Sequence, residues 1–259
     1  MPTLKSSVKK VLPAPVLAAW RRLRLEQIRR AEARLSLEEV FTTIYKTNVW
    51  GGIPGEFYSG LGSEDAFTGK YVHEVNRFIA EHGVRTILDV GCGDFRVGSK
   101  ITRPGIHYLG IDIVRPLIER NARLFGSDFV RFEHKNAVED ELPDADLCLI
   151  REVLQHLSND QIVRILGKLG AFRHVLISDV RPAVVKAPNV DKTAGSAIRA
   201  FVGSCVALDA SPFSLPNVTL LFKTPGVPRG STICTYLISN EAADVRPNSH
   251  ERGSSFATG

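Results

Sequence analysis

Asp89, Gly91, Cys92, Gly93 and Asp94 fall together in the run LDVGCGD, and Asp112 follows in YLGIDI, 21 residues after Gly91. Glycines at 91 and 93 allow a turn whose backbone approaches a ligand closely, and amides at a following helix start can face its polar groups. A dinucleotide-binding turn asks for a third glycine at position 96, where this chain carries Arg96. Carboxylates on both sides of the glycines repel a pyrophosphate and suit a ligand with a sulfonium and an α-amino group. An acid closing the second strand can accept hydrogen bonds from ribose hydroxyls. A second group with chemical potential is Arg151, Glu152, Gln155 and His156 in IREVLQHLSNDQI. An imidazole titrates near neutrality and can take a proton from a hydroxyl. The four-residue spacing of Glu152 and His156 predicts one helical face, where the acid orients the imidazole or the pair holds a divalent cation. The metal alternative ranks second, because the amide of Gln155 is a poor ligand.

The elements that must position these residues are legible as alternating runs. TILDV (86 to 90), HYLGI (107 to 111), FVRFEH (129 to 134), LCLIR (147 to 151) and HVLISD (174 to 179) read as strands. RPLIERNARLF and NDQIVRILGKLGAF read as helices, the second opened by a capping box from Ser158 to Gln161. The order predicts an α/β fold with a doubly wound, mostly parallel sheet. VTLLFK (218 to 223) and STICTYLIS (231 to 239), joined by a Pro/Gly turn, close it as an antiparallel hairpin. A helix is expected from near Pro13 or Pro15 through residue 46, and another starts at Ser63 and runs to Gly83. The expected organisation is a basic tail and helix over 1–46, a main domain over 47–240 and a disordered tail over 241–259.

Residues 1 to 36 carry nine basic side chains against two acidic ones, whereas the whole chain is +5, so the body is slightly acidic. That split argues against a nucleic-acid groove through the body and allows the amino-terminal segment a peripheral contact with an anionic membrane surface. No run reaches the roughly 18 apolar residues of a membrane-spanning helix, and no secretory signal opens the chain, so a cytoplasmic location is expected. Cys92, Cys148, Cys205 and Cys234 have neither zinc-site nor disulfide-framework spacing.

LDVGCGD with YLGIDI resembles motifs I and II of the class I S-adenosylmethionine-dependent methyltransferases, over about residues 60 to 240. The resemblance implies a seven-stranded Rossmann-like fold and S-adenosylmethionine as cofactor. It implies a cofactor site of Asp89, Gly91, Cys92, Gly93, Asp94, Asp112, Ile113 and Arg151, with Asn136 and Ala137 by the adenine. IYKTNVWGG, YSGLGSED, CGDF, HLSNDQI and LDASPFSLP resemble, more narrowly, bacterial methyltransferases associated with polysaccharide or glycolipid biosynthesis. There CGDF usually continues with an amide and a tryptophan, whereas Arg96 and Val97 follow here.

The expected reaction is O-methylation of a sugar hydroxyl in a glycan or activated sugar, with His156, Glu152 and Arg151 as catalytic residues. Arg151 is expected to pair with Asp89 or a neighbouring acid, or to hold an anionic acceptor. Trp50, Tyr58, Arg96 and Asp179 are the expected acceptor-side residues, covered by a lid from the segment 181 to 216. The alternatives are an RNA or other small-molecule methyltransferase, or a non-catalytic cofactor-binding module. The expected partner is a small-molecule or glycan acceptor; N-P-P-Y, a signature of one nucleic-acid-modifying group, is missing from the sequence.

Overall fold

The computed structural model describes residues 35–240. The expected helix before residue 35 and the expected tail at 241–259 lie outside them. Seven strands, β1 (Thr86–Val90), β2 (His107–Asp112), β3 (Val130–His134), β4 (Leu147–Arg151), β5 (His174–Arg181), β6 (Val218–Pro225) and β7 (Thr232–Ser239), form one sheet. Its order is β3-β2-β1-β4-β5-β7-β6. The first five strands run parallel, and β7 is antiparallel to both β5 and β6. The fold is therefore a mostly parallel, Rossmann-like sheet closed by the expected hairpin.

The central strands are apolar on both faces because helices cover both. Period-two alternation divides them: Ile87, Leu147, Leu149 and Leu176 face one core, and Leu88, Val90, Cys148, Ile150, Val175 and Ile177 the other. The first core is closed by α2 (Asp65–Glu81) through Tyr71, Val75, Phe78 and Ile79. The second is closed by α1 (Leu37–Lys46), α3 (Arg115–Phe125) and α4 (Asn159–Leu166). The outer strand β6 carries a bulge at Leu221, where pairing with β7 skips a residue. Such a bulge twists an exposed edge away from further pairing.

Two expected helix starts are corrected. The helix ending at Lys46 does not run unbroken from Pro13 or Pro15: Ser36 is extended at φ −61°, ψ 159° and caps a new helix. Its hydroxyl accepts from the Glu39 amide at 3.3 Å, and the Glu39 carboxylate accepts from the Ser36 amide at 2.8 Å. At ten residues α1 is too short to persist alone. Burial of Val40, Phe41 and Ile44, each contributing roughly 1.5–3 kcal/mol, holds it to the body. Ser63 is not a helix cap either. It ends a 3₁₀ turn, Leu61–Ser63, and its hydroxyl donates to the Gly60 carbonyl at 2.7 Å, leaving Glu64 as the residue before α2.

Candidate active site

Strand order reverses between β1 and β4, and a cavity of about 570 Å³ opens beyond the carboxyl ends there. The volume suits a small molecule, for which ~300–1,000 Å³ is usual. Asp89, Gly91, Cys92, Gly93 and Asp94 border it from β1, Asp112 and Ile113 from β2, and Asn136 and Ala137 from the loop after β3. Arg151, Glu152 and His156 border it from the segment after β4, so all the expected cofactor-side and catalytic positions share one cavity.

The glycine turn is shaped by its neighbours as much as by any ligand. Gly91 and Gly93 have φ of +71° and +56°. A Cβ on Gly91 would lie 2.4 Å from Val153 Cγ2, and one on Gly93 would lie 2.5 Å from Ser59 Oγ. The amides of Gly91 and Cys92 both donate to the Ile111 carbonyl, at 2.8 and 3.1 Å, which ties the turn to β2. A reciprocal pair locks the other side. The Ser59 amide donates to Asp94 Oδ2 at 3.1 Å, and the Asp94 amide donates to Ser59 Oγ at 2.9 Å.

The ionisable side chains of the lining are mostly acidic. Asp89, Asp94, Asp112 and Glu152 are set against Lys135 and Arg151. Burial pushes Asp89 up to about 6, against the hydrogen bond it accepts from the Tyr108 hydroxyl and the Arg151 charge. Burial likewise raises Asp112, although its oxygens accept from the amides of Val114 at 3.0 Å and Gly93 at 3.2 Å. A carboxylate oxygen can accept more than one hydrogen bond, so Asp112 keeps capacity toward the cavity it borders. A cationic or hydroxyl-bearing ligand relieves this buried negative charge. Asn136 serves its own loop: its side-chain oxygen accepts from the Val138 amide at 3.0 Å and its backbone N–H donates to Asp140 at 2.8 Å.

After β4 the chain is not α-helical, which corrects the expected shared face of Glu152 and His156. Glu152 takes a left-handed conformation at φ +56°, and residues Leu154–His156 form a 3₁₀ turn before α4. Glu152 turns to Arg151, with an ion pair of 2.9 Å, and its carboxylate packs on Gly62. Arg151 also donates to the Gly62 carbonyl at 2.7 Å and lies 5.0 Å over the Tyr71 ring, so its partner is the neighbouring acid and not Asp89. His156 sits apart from this pair, against Trp50 at 5.2 Å and Phe41 at 6.4 Å between ring centroids. Burial, then the Lys192 charge, lowers His156 to about 4. Gln155 is buried with its Oε1 lacking a partner, at the cavity wall. Among the described residues no group of three His, Cys, Asp or Glu side chains is arranged to hold a metal ion.

Of the expected acceptor-side residues, Trp50 borders both the main cavity and a second depression beside it, and Tyr58 and Arg96 line only the second. Arg96 pairs with Glu56 and Asp94 and covers the Tyr58 ring, whose hydroxyl donates to Glu64 at 2.6 Å. Asp179 does not border the cavity: it is buried behind it and accepts from the Gln155 amide at 3.4 Å. The segment 181 to 216 contributes Ser196, Ala197, Ile198 and Phe201 to the cavity wall. It is anchored through buried Arg199, which donates to the carbonyls of Val190 and Leu157 and to Asn159. Ser59, Gly62, Val153 and Arg199 are site-building residues that sequence reasoning missed. Only the spaced glycines of YSGLGSED hinted at the close packing of that loop.

Residues 88–175 match the family described as a methyltransferase domain. Over 90 residues the chain is 29% identical to uncharacterized methyltransferases of Mycobacterium tuberculosis (strain ATCC 25618 / H37Rv) and Mycobacterium bovis (strain ATCC BAA-935 / AF2122/97). That stretch is 34% of this chain and 45% of each relative, so the match spans about half of the curated relatives' length. The N-methyltransferase NodS from Bradyrhizobium japonicum WM9, solved with S-adenosyl-L-homocysteine, has a TM-score of 0.52 at 15% identity, covering 70% of this chain and 91% of its own. Magnesium protoporphyrin IX methyltransferase from Synechocystis PCC 6803, also solved with S-adenosyl-L-homocysteine, has a TM-score of 0.50 at 12% identity, covering 79% and 100%. Residues 88–175 thus resemble a methyltransferase domain, and the sheet order is that of the fold these solved methyltransferases share.

Proposed function

We propose that this protein transfers the methyl group of S-adenosylmethionine to an oxygen of a small acceptor, a sugar hydroxyl of a glycan or activated sugar. The observation that carries the first half is the acid-flanked turn from Asp89 to Asp94, which with Asp112, bonded to the Gly93 amide, borders one side of a cavity of matching size. Those residues fit the cofactor: Asp112 suits its ribose hydroxyls, Asp89 and Asp94 its cationic end, and Asn136 and Ala137 border the room for its adenine. Bound there, it supplies a methyl group already activated on a sulfonium. The chain then has to align a hydroxyl and take its proton. His156, at the cavity wall and held neutral by burial, keeps a lone pair available to a hydroxyl, though the same burial weakens it as a base, and the Trp50 ring offers a surface on which the C–H face of a sugar can stack. Arg151 and Glu152 act by fixing the 59–63 loop over the cofactor side.

Val49, Leu61 and Phe201 line the cavity while 54%, 51% and 68% exposed, and this apolar rim favours a second reading, a hydroxylated apolar small molecule as acceptor. The acidic lining works against a polyphosphate or RNA strand. Calorimetry with S-adenosylmethionine, followed by transfer of a labelled methyl group to glycan precursors, activated sugars, hydroxylated aromatics and RNA, tests the proposal. Cofactor binding with label in the sugars supports it. Label only in RNA or aromatics overturns the acceptor, and cofactor binding without turnover on any acceptor marks a non-catalytic module.

A further inference from the structure

His156 is gripped by the segment after β5 at three points. Its Nδ1 lies 3.0 Å from the Gly195 carbonyl oxygen, and the Gly195 amide donates to the His156 carbonyl, also at 3.0 Å. The Lys192 ammonium donates to that same carbonyl at 3.0 Å. A carbonyl can only accept, so Nδ1 must carry the ring proton and Nε2 is left with a lone pair. Nε2 has no hydrogen-bond partner among the described residues and is not sealed from solvent. The residue itself lines the cavity, beside Ser196 and Ile198 from the same gripping segment.

We propose that Gly195 and Lys192 are positioning residues for His156, holding its imidazole as the neutral Nδ1–H tautomer with Nε2 presented to the cavity as the hydrogen-bond acceptor for the acceptor's hydroxyl. The inference rests on the methyltransferase reading for its use, but the tautomer can be observed without any turnover. Two further contacts keep the grip in place. Trp50 Nε1 donates to the Ser196 carbonyl at 3.5 Å, and Arg199 ties Leu157 and Asn159 to the same segment.

The charges around the imidazole leave Lys192 as the one that acts on it. Phe41 and Trp50 cover two sides of the ring and are uncharged. Arg199 spends its guanidinium on backbone carbonyls and Asn159, Asp191 accepts from the Asn159 amide, Asp179 accepts from the Gln155 amide, and Glu152 is paired with Arg151. Burial opposes protonation most, and the Lys192 ammonium adds to it.

Nitrogen-15 and carbon-13 NMR of the labelled imidazole in the full chain, titrated with pH, tests the proposal, with His156→Gln used to assign the signal. The expected result at neutral pH is a protonated Nδ1, an unprotonated Nε2, and a titration near 4. Lys192→Gln should raise that titration by roughly one pH unit, since a nearby positive charge has gone. Lys192→Arg should leave it unchanged. An Nε2–H tautomer, a titration in the ordinary histidine range, or no movement in Lys192→Gln overturns the proposal. The pH dependence of methyl transfer then supplies the second arm: the acid limb should move upward in Lys192→Gln with KM for the cofactor unchanged. Failure to bind cofactor or to transfer methyl would defeat the methyltransferase reading, while the NMR result would still decide the positioning of His156.

Discussion

Asp89 shows how a side chain can be bad for stability and suited to function at once. Its folded value of about 6 lies above the ordinary 3.8, so the folded chain keeps a proton that the unfolded chain loses. The penalty is therefore absent below about pH 4, grows as pH rises to about 6, and is constant above that. Asp89→Asn should raise the thermal midpoint of the ligand-free protein at about pH 8, by up to roughly 3 kcal/mol of stability, and leave it unchanged at about pH 4. Affinity for S-adenosylmethionine, measured by calorimetry, should fall in the same variant. Loss of stability at the higher pH would mean that the Tyr108 bond outweighs the burial. Gly91→Ala tests a steric cost: the new Cβ meets Val153, and an alanine at φ +71° is itself strained. Together these should cost roughly 2–5 kcal/mol in denaturant unfolding. Repeating the substitution in a Val153→Ala background should recover the steric part and leave the backbone part.

Among the elements, α1 and α4 both open with a capping box, at Ser36 and Ser158. Ser36→Ala and Ser158→Ala should each lower the denaturant midpoint by an amount equal to about 1 kcal/mol, and the double variant should show nearly additive loss if α1 and α4 are held independently. The capping box at Ser158 is visible in the sequence because a strand and a loop precede it. That at Ser36 is obscured, since helix-compatible residues continue on both sides and periodicity alone runs straight through. The strands were legible because β1, β4 and β5 are short apolar runs bounded by turns, and the hairpin because nothing between β6 and β7 could form a crossover helix. The segment after β4 was misread for a definite reason. Val153, Leu154 and Leu157 look helical by spacing, but Glu152 leaves the strand in a left-handed conformation, which turns the chain before a full helical turn can form.

On the scale of the whole molecule, Trp50 is the tryptophan among the described residues. Trp50 lines the cavity, so cofactor or acceptor binding should change tryptophan fluorescence in Trp20→Phe as in the parent chain, and the change should vanish in Trp50→Phe. A response that survives Trp50→Phe would place the ligand elsewhere. Among the described residues no helix is long and apolar enough to cross a membrane. The proposed contact of the basic amino-terminal residues with an anionic surface predicts retention on anionic vesicles at low salt that is lost on removing residues 1–34, without change in cofactor affinity.

The glycine turn and its acids were legible in the sequence alone, because their signals are local. An apolar strand, two glycines, the acids flanking them and an acid closing the next strand all follow from nearest-neighbour pattern. Which of the other candidate residues share the cavity was decided only by the tertiary structure, because that geometry comes from contacts between residues far apart in the chain. Ser59 reaches Asp94, Gly62 lies on Arg151 and Glu152, and Gly195 holds His156. Those contacts turn Arg96 and Tyr58 to a neighbouring depression and bury Asp179 behind the wall, leaving Trp50 and His156 to face the cavity.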